Sequence, residues 1–106
     1  MLGEFEQLVM LAILRVGEGD AYGIPIRDEI ARSAGREPTL GAVYKTLARL
    51  EDKGLVRSWT ADPTPLRGGR RKRCYSVSAS GRRELRHGIA ALRRMATGLD
   101  LGLEAP

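Results

Sequence analysis

The stretch that decides the fold is residues 39–56, which read TLGAVYKTLARLEDKGLV. Thr39 is a preferred helix N-cap. The apolar residues after it recur at helical spacing and are Leu40, Val43, Leu47 and Leu50. This spacing predicts a helix that packs one face on a core. Gly54 ends the helix, and residues 55–60 are of the β-branched and aromatic type that forms strands. The stretch therefore predicts a helix that runs into a strand.

The opposite face of this helix is flat at its start and basic further along. Its small residues allow close approach to a surface, and the unpaired N–H groups of a helix start suit a phosphate. The residues predicted to face the bases and phosphates of DNA are Thr39, Gly41, Ala42, Lys45, Thr46 and Arg49. Tyr44 either meets a phosphate through its hydroxyl or fills the edge of the core. Bases on one helix face are also typical of a solvated surface, so that alternative stays open.

A second basic segment follows at residues 67–73, which read RGGRRKR. Two prolines in residues 62–65 cannot continue a paired strand, whereas residues 71–77 return as a second strand. The sequence thus predicts a hairpin whose tip lies on the phosphate backbone or enters the minor groove. The tip residues predicted to bind DNA are Arg67, Gly69, Arg70, Arg71, Lys72 and Arg73. On an isolated tip, such a run is usually a solvated cluster of charges.

Two helices precede the deciding stretch. The first, about Glu4 to Val16, is apolar on more than one side, so it must be covered on both sides by the domain or by a partner chain. The second has Pro25 in its first turn and ends at Gly35, which we expect in the left-handed conformation. Only a short link joins it to Thr39, which is typical of a helix-turn-helix.

One more helix follows the hairpin, from about Ala79 to Thr97, with Ser78 as its cap. Its apolar residues form a heptad seam of Leu85, Ile89, Leu92, Ala96 and Leu99. We predict that two copies of the chain dimerise along this seam, with help from Phe5, Met10 and Leu14 of the first helix. The alternative is that the helix packs back on its own core.

Composition limits the classes of function. A net charge of +5 and a pI near 10.0 favour an anionic partner. Residues 1–40 hold 4 basic and 7 acidic side chains, whereas residues 41–106 hold 14 and 6, so the basic surplus begins at the proposed DNA-binding helix. A high-GC genome would also enrich arginine, which stays open as a second explanation.

Several functions are not supported by the residues present. A single cysteine, Cys74, and a single histidine, His87, do not make a structural zinc site, and we predict no metal and no cofactor. Neither a membrane span nor a secretory signal is evident, so we expect a cytoplasmic protein without membrane partners. No paired acid and base or phosphate-cradling loop is present, so we expect no enzyme.

Four segments together resemble the PadR family of bacterial transcriptional regulators. They are AYGI (21–24), LGAVY (40–44) with Leu47 and Leu50-Glu51, KGLV (53–56), and GGRRKR (68–73) with Tyr75 and Ser78. The resemblance covers about residues 2 to 98. It implies a mainly α fold with a small β-hairpin: a winged helix-turn-helix domain in residues 1–78, a dimerisation helix in residues 79–98 and a tail in residues 99–106. It further implies a homodimer that represses transcription by occupying a palindromic operator in double-stranded DNA.

The chain departs from the family's pattern at its C-terminal end. Only one helix follows the hairpin, as in the short branch of the family. Some short members bind flat aromatic ligands at the dimer centre with the help of an aromatic residue on the last helix. This last helix has none, so the resemblance supports a small aromatic effector less than it supports DNA. A different class of function stays open, because winged helices also serve as protein-interaction modules and this one could dock on an acidic partner.

Overall fold

Three helices, an antiparallel hairpin and a fourth helix follow one another in residues 2–61 and 72–102, the part of the chain that this computed structural model describes. They are α1 (Glu4–Val16), α2 (Gly23–Ala34), α3 (Leu40–Asp52), β1 (Val56–Ala61), β2 (Lys72–Val77) and α4 (Ala79–Ala96). The predicted mainly α fold with a small β-hairpin is confirmed.

The buried stripe of α1 comprises Glu6, Val9, Met10, Ala12 and Ile13. Met10 was predicted at a dimer interface, and this is wrong because none of its side chain is exposed and it packs inside the core of its own chain. Glu6 belongs to the same stripe, and its carboxylate has hydrogen-bond partners there. Its carboxylate accepts hydrogen bonds from the Gly3 N–H at 2.8 Å and from Lys53 Nζ at 2.9 Å. Burial raises the pKa of Glu6, but these two donors leave it below its ordinary value.

The α1–α2 pair is held by a carboxylate with three donors. Glu29 of α2 accepts hydrogen bonds from Arg15 of α1 at 3.1 Å and from Arg32 and Ser33 of its own helix. The Ser33 hydroxyl, followed by the Arg32 guanidinium, lowers the pKa of Glu29 from 4.5 to about 2. At its other end α2 stops at Gly35, which has the predicted left-handed conformation with φ 67° and ψ 26°.

The third helix fixes the hairpin to the helical core. Val43, Leu47 and Leu50 are fully buried. Ser58 of β1 donates a hydrogen bond of 2.6 Å to Glu51 at the end of α3. The two strands pair in the register Val56↔Val77 to Ala61↔Lys72. The register pairs Trp59 with Cys74, so the chain's one tryptophan lies in this hairpin, and 37% of its surface is exposed.

Beyond the hairpin, the start of α4 is anchored and its end projects from the core. The Ser78 hydroxyl caps the helix by accepting from the Gly81 N–H at 3.0 Å, as predicted, and donates to the Gly54 carbonyl at 2.7 Å. Leu85 is only 4% exposed, so its predicted place in a dimer seam is wrong: the first turns of α4 pack on the chain's own core. Further along, Leu92 is 63% exposed and Met95 79%. No helix in residues 2–61 and 72–102 is both long and apolar enough to span a membrane.

Candidate nucleic-acid interface

One face of α3 is open to solvent and carries most of the residues that were predicted to bind DNA through this helix. Thr39, Gly41, Tyr44, Lys45 and Arg49 are exposed, and Ala42 is half-buried. Thr39 caps the helix through a 3.1 Å hydrogen bond from the Ala42 N–H to its hydroxyl. A Cβ built on Gly41 meets no atom within 4 Å, so the surface there is flat and unobstructed. The face thus carries small side chains at its N-terminal end and positively charged side chains one to two turns later.

Thr46 does not belong to this face. Only 4% of its surface is exposed, so the prediction that it faces the bases is wrong. Thr46 lies three residues after Val43 and four before Leu50, and that spacing places it on the buried stripe. It was predicted on the face opposite the apolar stripe, with Lys45 and Arg49.

The Tyr44 side chain is partly exposed on the α3 face and partly packed against α2, the preceding helix. It is 44% exposed, yet its ring lies against Gly23, the first residue of α2. A Cβ built on Gly23 would stand 2.3 Å from Tyr44 Oη and 2.4 Å from Cζ, which is far inside van der Waals contact. Both interpretations of Tyr44 therefore remain compatible with its position, since the ring packs on α2 while its free surface faces solvent.

The basic hairpin is described only at its stem. Arg67, Gly69, Arg70 and Arg71 lie outside the described residues, and only Lys72 and Arg73 of the predicted set are described.

Arg73 is exposed and pairs across the hairpin with Thr60. Lys72 is half-buried, and its ammonium lies 4.0 Å from the centroid of the Tyr22 ring, a cation–π contact. Arg57 on β1 is a further exposed base on the stem.

Ala21, Tyr22 and Gly23 lie behind the proposed interface, and no role was predicted for them beyond the family resemblance. Ala21 is fully buried, and its carbonyl accepts a 2.8 Å hydrogen bond from the Tyr75 N–H of β2. Tyr22 contacts Lys72, and Gly23 leaves room for Tyr44. The AYGI segment itself could have revealed these residues. It carried part of the family resemblance, and hydrophobic periodicity did not explain it.

Other reactive groups in the described residues are not arranged for chemistry. Cys74 is buried, and burial raises the pKa of its thiol, which makes the nucleophilic thiolate scarce. No three His, Cys, Asp or Glu side chains come together in residues 2–61 and 72–102 in a way that could hold a metal ion. An exposed face of small and basic residues can bind an extended anion.

A helix-turn-helix whose third helix presents a basic face, with an antiparallel hairpin beside it, is a winged helix-turn-helix domain. The family model of the transcriptional regulator PadR-like family matches residues 10–87. The chain therefore belongs to this family of transcription regulators, as the sequence predicted. No curated protein matches the chain. These matches offer no support for the alternative of a protein-interaction module.

Solved structures of regulators resemble the chain along most of its length. A PadR family transcription regulator from Clostridium difficile R20291 is 21% identical with a TM-score of 0.76, over 96% of this chain and 100% of that one. One from Eggerthella lenta DSM 2243 is 27% identical with a TM-score of 0.70, over 97% and 88%. Bacillus subtilis PadR, solved in complex with operator DNA, is 18% identical with a TM-score of 0.65, over 81% of this chain and 46% of that one.

Proposed function

We propose that the chain is a DNA-binding repressor that acts as a homodimer on a palindromic operator in double-stranded DNA. In each protomer α3 enters a major groove, and the hairpin lies on the adjacent backbone. The two α3 helices of a dimer occupy successive grooves about 34 Å apart.

The observation that carries the proposal is the exposed face of α3. Gly41 leaves the helix start open, while Lys45 and Arg49 are exposed one and two turns further along. A helix start that can approach closely suits base edges and phosphates, and the two bases supply charge at the groove or its rim. Arg73 and Lys72 add positive charge at the stem of the neighbouring hairpin. The complex of Bacillus subtilis PadR with operator DNA supports this use of the fold.

Dimerisation is supported by the apolar end of α4 and the residues around it. Leu92 and Leu99 are 63% and 62% exposed, and Met95 is 79% exposed. Apolar side chains this exposed, at the end of α4 and just beyond it, are typical of a surface that is covered by another chain. Ile89 and Ala96 are half-buried along the same helix, as are Phe5 and Leu14 of α1. We propose that these residues, without Met10 and Leu85, form the interface.

Selection of duplexes from random DNA by the wild-type chain, followed by gel shifts at moderate salt, tests DNA binding. The Lys45→Ala change is expected to raise the Kd for the selected duplex about tenfold. The matched control is Arg83→Ala, which removes the same charge from an exposed position on α4 and should change Kd less than about twofold. Recovery of no preferred duplex, or equal losses in both variants, would contradict the proposal and favour an acidic protein as the partner.

The hairpin tip is tested by salt dependence. Arg70 and Arg71 lie outside the described residues, so their role rests on the sequence. Replacing both by alanine should flatten the slope of log K against log salt by about two for each protomer bound to the duplex, because each phosphate contact contributes close to one unit. An unchanged slope would show that the tip does not contact the DNA.

A small aromatic effector and a cytoplasmic location stay predictions. Melting of the dimer against a panel of aromatic compounds tests the effector.

A further inference from the structure

Two side chains of the proposed DNA interface rest on one dipeptide at the start of α2. Tyr22 lies beneath the ammonium of Lys72, and Gly23 lies beneath the ring of Tyr44. We infer that Tyr22 and Gly23 are positioning residues, which set where Lys72 and Tyr44 stand relative to a duplex. The inference rests on the proposed function, because it concerns residues behind that interface.

Gly23 acts through the space that it leaves. A Cβ at this position would lie 2.3 Å from Tyr44 Oη, 2.4 Å from Cζ and 2.9 Å from Cε1. These three atoms form the rigid phenol end of a flexible side chain, so they move away together when Tyr44 rotates about its side-chain bonds. Tyr44 is nearly half exposed, so its ring has room to leave toward solvent. Any residue with a Cβ at position 23 therefore pushes Tyr44 outward, toward the side from which DNA approaches.

Tyr22 acts through its ring. The Lys72 ammonium stands 4.0 Å from the ring centroid, well within cation–π range. A carboxylate at this place would fix the lysine but would also neutralise it. An aromatic face restrains the flexible lysine stem and leaves the full positive charge and its N–H donors available to a phosphate. The contact thus lowers the ordering cost of a phosphate contact without removing the charge that makes it.

The dipeptide itself is held from both sides. The Ala21 carbonyl before it accepts from the Tyr75 N–H of β2 at 2.8 Å, and Ala21 is fully buried. The Tyr22 carbonyl accepts from the Ile26 N–H at 3.1 Å in the first turn of α2. The support is therefore bonded to the hairpin on one side and to a helix on the other. A change at Tyr22 or Gly23 is expected to move the side chains above it, because the backbone below is fixed.

A double-mutant cycle tests the Gly23 part, with the Kd for the duplex selected by the wild-type chain as the readout. Tyr44→Ala is expected to raise Kd about tenfold, as for one lost hydrogen bond to a charged group. Gly23→Ala should raise it by a similar factor. In the Tyr44→Ala background, Gly23→Ala should have no further effect, because the Cβ then meets no ring. Equal penalties from Gly23→Ala in both backgrounds would overturn the inference.

Salt dependence tests the Tyr22 part. Tyr22→Leu removes the ring and is expected to flatten the salt slope by about one for each protomer bound to the duplex, the loss of one phosphate contact per protomer. Tyr22→Phe keeps the ring face and should keep the wild-type slope. Partial unfolding would change the amount of active protein but not the slope, so a purely structural role predicts equal slopes in all three proteins. That result would overturn the inference.

The failure of this inference is distinguishable from failure of the proposed function. If the wild-type chain selects a duplex while the penalties are additive and the slopes equal, only the positioning role is overturned. If the wild-type chain prefers no duplex, the proposed function fails and the positioning role fails with it.

Discussion

Gly81, the third residue of α4, is the position where one added methyl group should do the most damage. A Cβ there would lie 2.1 Å from the Leu55 carbonyl oxygen and 2.9 Å from Val77 Cγ1. The first of these atoms is backbone and cannot rotate away. The same carbonyl accepts the Ser78 N–H at 3.0 Å, so moving α4 to make room also breaks that hydrogen bond.

The expected magnitude for Gly81→Ala follows from three contributions. Overpacking a fitted contact costs roughly 1–3 kcal/mol. The lost hydrogen bond costs about 1 kcal/mol, and the better helix propensity of alanine returns about 1 kcal/mol. The net loss is about 2 kcal/mol of unfolding free energy. For a domain of this size that corresponds to a melting temperature lower by roughly 10 °C.

Thermal and urea unfolding followed by circular dichroism measure this loss. Gly41→Ala is the matched control, because Gly41 is also near the start of a helix but its Cβ would meet nothing within 4 Å. That variant should be at least as stable as wild type, by up to about 1 kcal/mol. All proteins must be compared at one concentration, since the proposed dimerisation would make stability concentration-dependent. A Gly81→Ala protein that melts at the wild-type temperature, or a Gly41→Ala protein equally damaged, would refute the reasoning.

Three further predictions follow from the described side chains. Because the folded-state pKa of Glu29 is about 2, below its ordinary 4.5, its stabilisation is complete above pH 4.5 and is lost as pH falls toward 2. Glu29→Gln should thus unfold more easily at neutral pH and lose less stability between pH 5 and 2 in urea titrations; an unchanged pH profile would contradict this. Leu92→Glu should convert the proposed dimer to a folded monomer in sedimentation experiments, whereas Arg94→Glu, off the seam, should not; a dimer that persists in Leu92→Glu would contradict this interface. The buried Cys74 thiol should react with a thiol reagent only as fast as the chain opens, and rapid modification of the native protein would contradict its burial.

Much of the fold could be predicted because local signals and packing agree. The bounds of α1, the left-handed Gly35 and the caps at Thr39 and Ser78 follow from helix periodicity and terminal hydrogen bonding, which are properties of short segments. Family resemblance added the arrangement of these segments in space.

The errors at Thr46 and Met10 have one cause. In α3 a polar residue, Thr46, stands at core spacing and was assigned to the surface. In α1 another polar residue, Glu6, stands at core spacing with Val9, Met10 and Ile13. With Glu6 counted among the core positions, Met10 falls on the buried face of α1 and not at a dimer interface. Whether such a residue can be buried depends on distant partners, here Lys53 for Glu6, and periodicity carries no information about them.

Two other features depend on tertiary packing. The seam of α4 is continuous in sequence, but where the helix leaves the core is decided by the close approach of Gly81 to Leu55. Leu85, four residues after Gly81, is buried, whereas Leu92 is exposed. Likewise, Gly41 and Gly81 both lie near helix starts, but their surroundings differ. Gly41 lies on an open surface, whereas Gly81 lies so close to Leu55 that a methyl group does not fit.

The placement of Trp59 gives the protein a built-in optical reporter. It is the single indole of the chain, it is 37% exposed, and it lies on the stem of the hairpin opposite Cys74. Its emission therefore reports one locality, without signal from α3 or α4. A wavelength shift on adding a duplex would register events at the hairpin, while anisotropy of a labelled duplex would register occupancy. The two signals together could time hairpin engagement against groove engagement in one stopped-flow experiment.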